Sequence, residues 1–249
     1  MILHFLHGFL GFKSDWDVFK KDFLPSVSFA YSIEDFLPNS NREKNYFVPW
    51  AKKFNTFVFS SNNNQIKDKN ILIGYSLGGR LALHSLAESN NHWDGVIIIS
   101  ANPGLSDKNE KEARIKNDQN WANRFLIEPW ESVITTWNSQ GVFSGQKNTF
   151  NRQESLYNRE KIAEVIDGFS LGKQEDLRYI IKNIKIPVLW ISGELDTKFA
   201  SIGKEISLIN KNINSVIIQN TGHRVPWEAP ERFKELCTNF IKKIQEGVK

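Results

Sequence analysis

Apolar residues in this chain fall into two alternating kinds of segment. Short continuous runs occupy 2–6, 71–73, 95–99, 186–192 and 215–218. They are too short for buried helices and most are rich in Ile and Val, so they read as strands. Near-continuous apolar character means that both faces are buried, as in a parallel sheet. A more polar strand is expected around 28–31. Between the runs, apolar residues recur at helical spacing: Trp16, Phe19 and Phe23 after a Ser14-Asp15 start; Phe47, Trp50, Ala51, Phe54 and Val58; and Phe233, Leu236, Phe240 and Ile244 after Pro230. The stretch 60–70 is polar and asparagine-rich, a surface loop. From 105 to 183 the pattern is helical with no strand. The alternation predicts an α/β fold: a mostly parallel sheet with helices on both faces, built from 1–104 and 184–249, and a helical cap inserted at 105–183.

The chemistry gathers at the ends of the runs. Gly74-Tyr75-Ser76-Leu77-Gly78 follows an apolar strand and leads into Arg80-Leu81-Ala82-Leu83. This is a G-x-S-x-G elbow, whose tight turn lifts the serine hydroxyl above the sheet and frees the next backbone N–H. Asp196 follows the run at 186–192, and His223 follows the run at 215–218. Ligands bind at that edge of an open parallel sheet, and the order Ser76, Asp196, His223 is that of an α/β-hydrolase triad. His223 would accept the Ser76 proton, and Asp196 would hold the imidazole tautomer. Leu77 and, in the glycine-rich turn His7-Gly8-Phe9-Leu10-Gly11, Phe9 are the expected oxyanion donors. Arg80, one helical turn beyond Ser76, has two readings: a clamp for a substrate carboxylate, or a partner for an acid of the cap. His4 reads as a core residue, and His84 and His92 lack partners that would suggest metal ligation.

Composition narrows the classes. The 249 residues suit one α/β domain, and the net charge of +4 is small and scattered, which argues against nucleic acid. One cysteine, Cys237, allows neither an intrachain disulfide nor a cysteine metal cluster, and a buried thiol is its expected state. The apolar N-terminus is too short for a signal peptide, and no segment is long enough to span a bilayer. A cytoplasmic protein without a membrane partner, metal or cofactor is expected.

The motifs extend beyond the elbow. Leu6-His7-Gly8-Phe9-Leu10-Gly11, Gly74 through Ala82, Asn102-Pro103-Gly104-Leu105, Arg114 through Asp118, Trp121 through Phe125, Ser170 through Gln174 and Gly193 through Phe199 together resemble the 2-succinyl-6-hydroxy-2,4-cyclohexadiene-1-carboxylate synthases. These are lyases of the α/β-hydrolase fold. The resemblance implies elimination of pyruvate from 2-succinyl-5-enolpyruvyl-6-hydroxy-3-cyclohexene-1-carboxylate in menaquinone biosynthesis. No cofactor is involved, and Ser76, activated by the triad, serves as base. It further implies that Arg80 and Arg114 clamp a small tricarboxylate, and that Tyr75, Trp137 and Phe143 line the pocket. The chain departs from the family pattern in three places. Asp35-Phe36-Leu37-Pro38 replaces Asp-Leu-Pro-Gly-His-Gly, a cap arginine near Tyr157 has no counterpart in register, and Arg224-Val225-Pro226 replaces Asn-Ala-His. A serine esterase using the same triad, and a non-catalytic hydrolase-fold binding protein, are the alternatives.

Overall fold

The computed structural model describes residues 1–38, 45–60, 68–88, 92–143 and 150–247. Among them, β1 (Ile2–Leu6), β2 (Val27–Tyr31), β3 (Asn70–Tyr75), β4 (Gly95–Ile99), β5 (Val188–Gly193) and β6 (Ile213–Ile218) form one sheet in the order β2-β1-β3-β4-β5-β6. Every pairing is parallel. All residues of β3, β4 and β5 are buried, which accounts for their unbroken apolar sequence. At the sheet edge, β2 has partly exposed residues, hence its mixed character.

Side chains alternate between two cores, as strand geometry requires. Leu72, Val96, Ile98 and Trp190 join the core beneath α1 (Phe47–Ser60) and α2 (Leu77–Glu88). Leu3, Phe5, Ile71, Ile73, Ile97 and Ile191 join the opposite core with Trp16, Phe19 and Phe23. Cys237 is buried in that second core.

The chain runs from β1 outward to β2 on one side, then from β3 outward through β4, β5 and β6 on the other. The sheet therefore reverses its winding between β1 and β3, and the loops after these two strands border a crevice. Those loops carry Phe9 and Ser76.

Between β4 and β5 the described residues contain helices and no strand: α3 (Lys108–Ile127), α4 (Trp130–Asn138), α5 (Arg159–Gly168) and α6 (Arg178–Asn183). Two of the starts are capped by side chains, Asp107 accepting from the Glu110 N–H at 2.8 Å and Asn158 from the Lys161 N–H at 2.9 Å. Trp121, Phe125, Trp130, Val133, Ile162 and Ile166 give these helices their own apolar cluster, against which Phe9 packs from the β1 loop. The last strands are followed by α7 (Thr197–Ile209) and α8 (Pro230–Glu246).

One element differs from the sequence pattern. The helix anticipated from Ser14 is a string of short turns, 3₁₀ over Lys13–Trp16, α over Asp17–Lys20 and 3₁₀ over Lys21–Phe23. Asp15 folds back to accept from the Phe12 N–H at 2.9 Å, which tightens the first turn, and Leu24-Pro25 stops propagation. The aromatic residues still face the core, because three- and four-residue spacing suits either kind of turn. Most of the loop expected at 60–70 lies outside the described residues. No described helix is long and apolar enough to cross a membrane.

Candidate active site

β3 delivers Ser76 to the crevice, and the backbone there is strained. Ser76 has φ of +52°, a left-handed conformation unfavourable for a residue with a side chain. Two close approaches hold it. A Cβ on Gly74 would collide with the Gly78 carbonyl, and one on Gly78 would collide with the carbonyl oxygens of Leu6 and His7. Glycine is thus required on both sides because strand, helix and the β1 loop meet there without room for a methyl group.

The two partners arrive from neighbouring strand ends. Asp196 sits just after β5 at the start of α7, and His223 just after β6; both are buried. The His223 Nδ1–H donates to Asp196 Oδ2 at 2.6 Å, and the Ser76 hydroxyl donates to His223 Nε2 at 3.1 Å. Phe199 and Phe143 meet the imidazole edge-on at centroid distances of 4.8 and 5.8 Å, shielding it from water. Leu77 opens α2, so its N–H lies at the positive end of a helix. Neither that N–H nor the Phe9 N–H has a hydrogen-bond partner among the described residues. His7 braces the Phe9 loop: its Nε2 accepts from the Ile33 N–H at 3.2 Å, leaving Nδ1–H to donate to the Gly8 carbonyl at 2.8 Å.

Two lobes of one cavity meet at Ser76 and His223. The larger, about 1090 Å³ and open to solvent, is lined by Arg80, Arg114 and Lys198 among others. Arg80 forms no ion pair among the described residues. It donates to the Phe169 carbonyl at 2.9 Å and to Gln174 Oε1 at 3.3 Å, so the cap acid anticipated as one of its two partners is not there. Burial first, and the neighbouring Arg114 charge second, pull its pKa down. A guanidinium does not give up its proton under ordinary conditions; the shift measures how poorly the charge is solvated, which an incoming carboxylate would relieve. Arg114 instead grips the buried Asp118 carboxylate from one helical turn away, its Nε donating to both oxygens at 2.8 Å.

Trp137 and Phe143 line both lobes, while Tyr75 lines the smaller one, where burial raises its phenol pKa. That smaller lobe also holds residues that spacing did not single out: Asp15, Arg152, Arg224 and Trp227. Asp15 and Arg152 lie far apart in the chain, and no local pattern could pair them. Arg224 adjoins His223 in sequence, the one signal available for it. His4 and His84 are buried in the core, away from the lobes, and no described cluster of three or more His, Cys, Asp or Glu could hold a metal ion.

Residues 62–230 match the model of the alpha/beta hydrolase fold family, and the chain belongs to that class. Within it the similarity is narrower. The 2-succinyl-6-hydroxy-2,4-cyclohexadiene-1-carboxylate synthase of Klebsiella pneumoniae subsp. pneumoniae is 31% identical, over 92% of this chain and 88% of that protein. The synthase of Citrobacter koseri is 30% identical, again over 92% and 88%. The chain belongs to this synthase family. MenH from S. aureus has the same fold, with a TM-score of 0.87 at 24% identity over 98% of this chain and 94% of that one.

Proposed function

We propose that the protein is a carbon–oxygen lyase of menaquinone biosynthesis. It converts 2-succinyl-5-enolpyruvyl-6-hydroxy-3-cyclohexene-1-carboxylate to 2-succinyl-6-hydroxy-2,4-cyclohexadiene-1-carboxylate and pyruvate. The observation that carries the reading is the Ser76–His223–Asp196 chain opening on a lobe lined by cations, in a member of the synthase family.

The change from a 3-ene to a 2,4-diene dictates the electron flow. A base takes the proton at C2, next to the succinyl carbonyl; the pair forms C2=C3, the C3=C4 pair moves to C4=C5, and the C5–O bond breaks. His223 accepts the Ser76 proton, and the Ser76 oxygen takes the C2 proton. The imidazolium, steadied by Asp196, returns its proton to the departing enolate, which becomes pyruvate. Ser76, reprotonated from C2, and His223, neutral again, are then back in their starting states, and no water is consumed. The Phe9 and Leu77 N–H groups hold the negative charge that develops on the succinyl oxygen. Arg80 and Arg114 orient carboxylates of the tricarboxylate in the larger lobe, and the helices between β4 and β5 act as the cap that covers it.

The test is direct. Purified protein given the enolpyruvyl cyclohexene should release one pyruvate per turnover, with no label from isotopic water entering either product's carboxylates. Ser76→Ala should abolish release while the protein stays folded. Rapid hydrolysis of nitrophenyl esters with a stoichiometric burst, and no pyruvate, would replace this reading with a serine esterase.

A further inference from the structure

The smaller lobe, about 590 Å³ and open to solvent, contains two arginines in different electrostatic states. Arg152 is matched: its Nη1 and Nη2 donate to the two Asp15 oxygens at 3.0 and 2.7 Å. Arg224 is not. It is only 7% exposed, yet it has no ion pair among the described residues. One Nη2–H donates to Asn138 Oδ1 at 2.5 Å, and the guanidinium lies over the Phe143 ring, 4.0 Å from its centroid. The carboxylate of Glu228 is spent on backbone, accepting from the N–H groups of Gly222 and of Arg224 itself. The other guanidinium N–H groups of Arg224 have no hydrogen-bond partner among the described residues. Burial pulls its pKa down, the signature of a charge removed from water without full compensation. Such a group is costly unless an anion completes it.

Its position says which anion. Arg224 is the chain neighbour of His223, and its lobe reaches Ser76. A substrate whose reacting bond lies over Ser76 has one lobe on either side of that bond, since Ser76 and His223 line both. The larger lobe carries Arg80, Arg114 and Lys198. In the reaction proposed above, one fragment keeps two carboxylates and the departing three-carbon fragment takes the third. On that reading, we infer that Arg224 is the receptor for the carboxylate of the departing fragment, and that the smaller lobe is the 2-oxo-acid subsite. Asn138 and the Phe143 face hold the guanidinium in place, and its free edge forms a bidentate pair with a planar carboxylate.

Ligand-observed NMR on the whole purified chain tests this, with pyruvate as probe of the smaller lobe and succinate as probe of the larger. Wild-type protein should bind both. Arg224→Gln should weaken pyruvate by on the order of 10- to 100-fold, the range for losing a charge-assisted hydrogen bond, and leave succinate within about twofold. Arg80→Ala should do the reverse. Arg224→Lys, which keeps the charge without the fork, should lose pyruvate affinity several-fold; it decides the matter if the Gln variant does not fold. Failure of wild-type protein to bind pyruvate, unchanged pyruvate binding in a folded Arg224 variant, or equal loss of both probes would overturn the assignment. Binding is read without turnover, so the two conclusions fail separately. Cyclohexene turnover with unaltered pyruvate binding in the variants removes only the role of Arg224. Arg224-dependent pyruvate binding without any turnover removes the lyase reading.

Discussion

Replacing Asp196 by Asn tests how the proton is steered through the site. The substitution is nearly isosteric, and both Asp196 and His223 are buried. In the native arrangement the 2.6 Å bond to Asp196 keeps the proton on Nδ1 and turns the Nε2 lone pair toward Ser76 Oγ at 3.1 Å. An Asn amide facing Nδ1 donates instead. The imidazole proton then moves to Nε2, where it confronts the Ser76 hydroxyl, and the serine proton has no acceptor. If the amide turns its oxygen to Nδ1, the tautomer is restored but the imidazolium loses its counter-charge. The loss for such a switch is on the order of 10⁴ in kcat, or about 5 kcal/mol of transition-state stabilisation. Because one hydrogen bond replaces another, stability should change by only about 1 kcal/mol. Pyruvate release coupled to lactate dehydrogenase and NADH oxidation reads the rate, and urea unfolding reads the stability. A folded Asp196→Asn protein within tenfold of wild type would refute the proposed tautomer control.

Gly78→Ala should destabilise the protein by about 1–3 kcal/mol in urea and cut kcat sharply. The new methyl group must push the carbonyls of Leu6 and His7 out of the β1 ladder and the Phe9 loop; an unchanged midpoint would refute the close approach. Arg114→Ala should raise KM and also destabilise the fold by about 1 kcal/mol, because it strands the buried Asp118 carboxylate while Arg114 itself is partly screened by solvent. Adding Asp118→Ala should recover the stability but not the KM, and recovery of both would assign Arg114 a purely structural role. Acid sensitivity should trace to two core histidines: burial lowers the His4 pKa to about 4, opposed by an Asn70 hydrogen bond, and burial plus the Arg80 charge lowers that of His84 to about 3. Both folded values lie below the unfolded 6.5, so the unfolded chain binds more protons in that window. Stability is complete above pH 6.5 and falls as the pH drops toward the folded values, with a limiting slope of about 1.4 kcal/mol per pH unit for each histidine. Urea midpoints at pH 7, 6 and 5 should fall less steeply in His84→Gln; an identical slope would remove His84 as a source.

The strands of this protein were legible because a strand buried on both faces has almost no freedom in composition. The runs at 71–73 and 95–99 could be little else, and glycine on both sides of Ser76 announced a turn without room for Cβ atoms. The order of Ser76, Asp196 and His223 was legible for a related reason. Each stands directly after an apolar run, and a parallel sheet brings all such ends to one edge. The turns at 13–23 were less so, since three- and four-residue spacing reports which side chains face the core and not whether the backbone is α or 3₁₀.

What the chain alone determined, then, was the set of properties governed by near neighbours: periodicity, burial of strands, the elbow and the edge to which functional residues are delivered. The electrostatic state of the site was decided by tertiary structure. Arg80 is held by the Phe169 carbonyl and Gln174, about ninety positions away by the measured separations of 89 and 94. Arg152 is neutralised by Asp15 across 137 positions, whereas the Arg224 guanidinium is buried with no ion pair among the described residues. Charge in a protein is set by what the fold brings within a few ångströms, and the energies of burial and pairing depend on that distance and on excluded water, neither of which is written in local sequence.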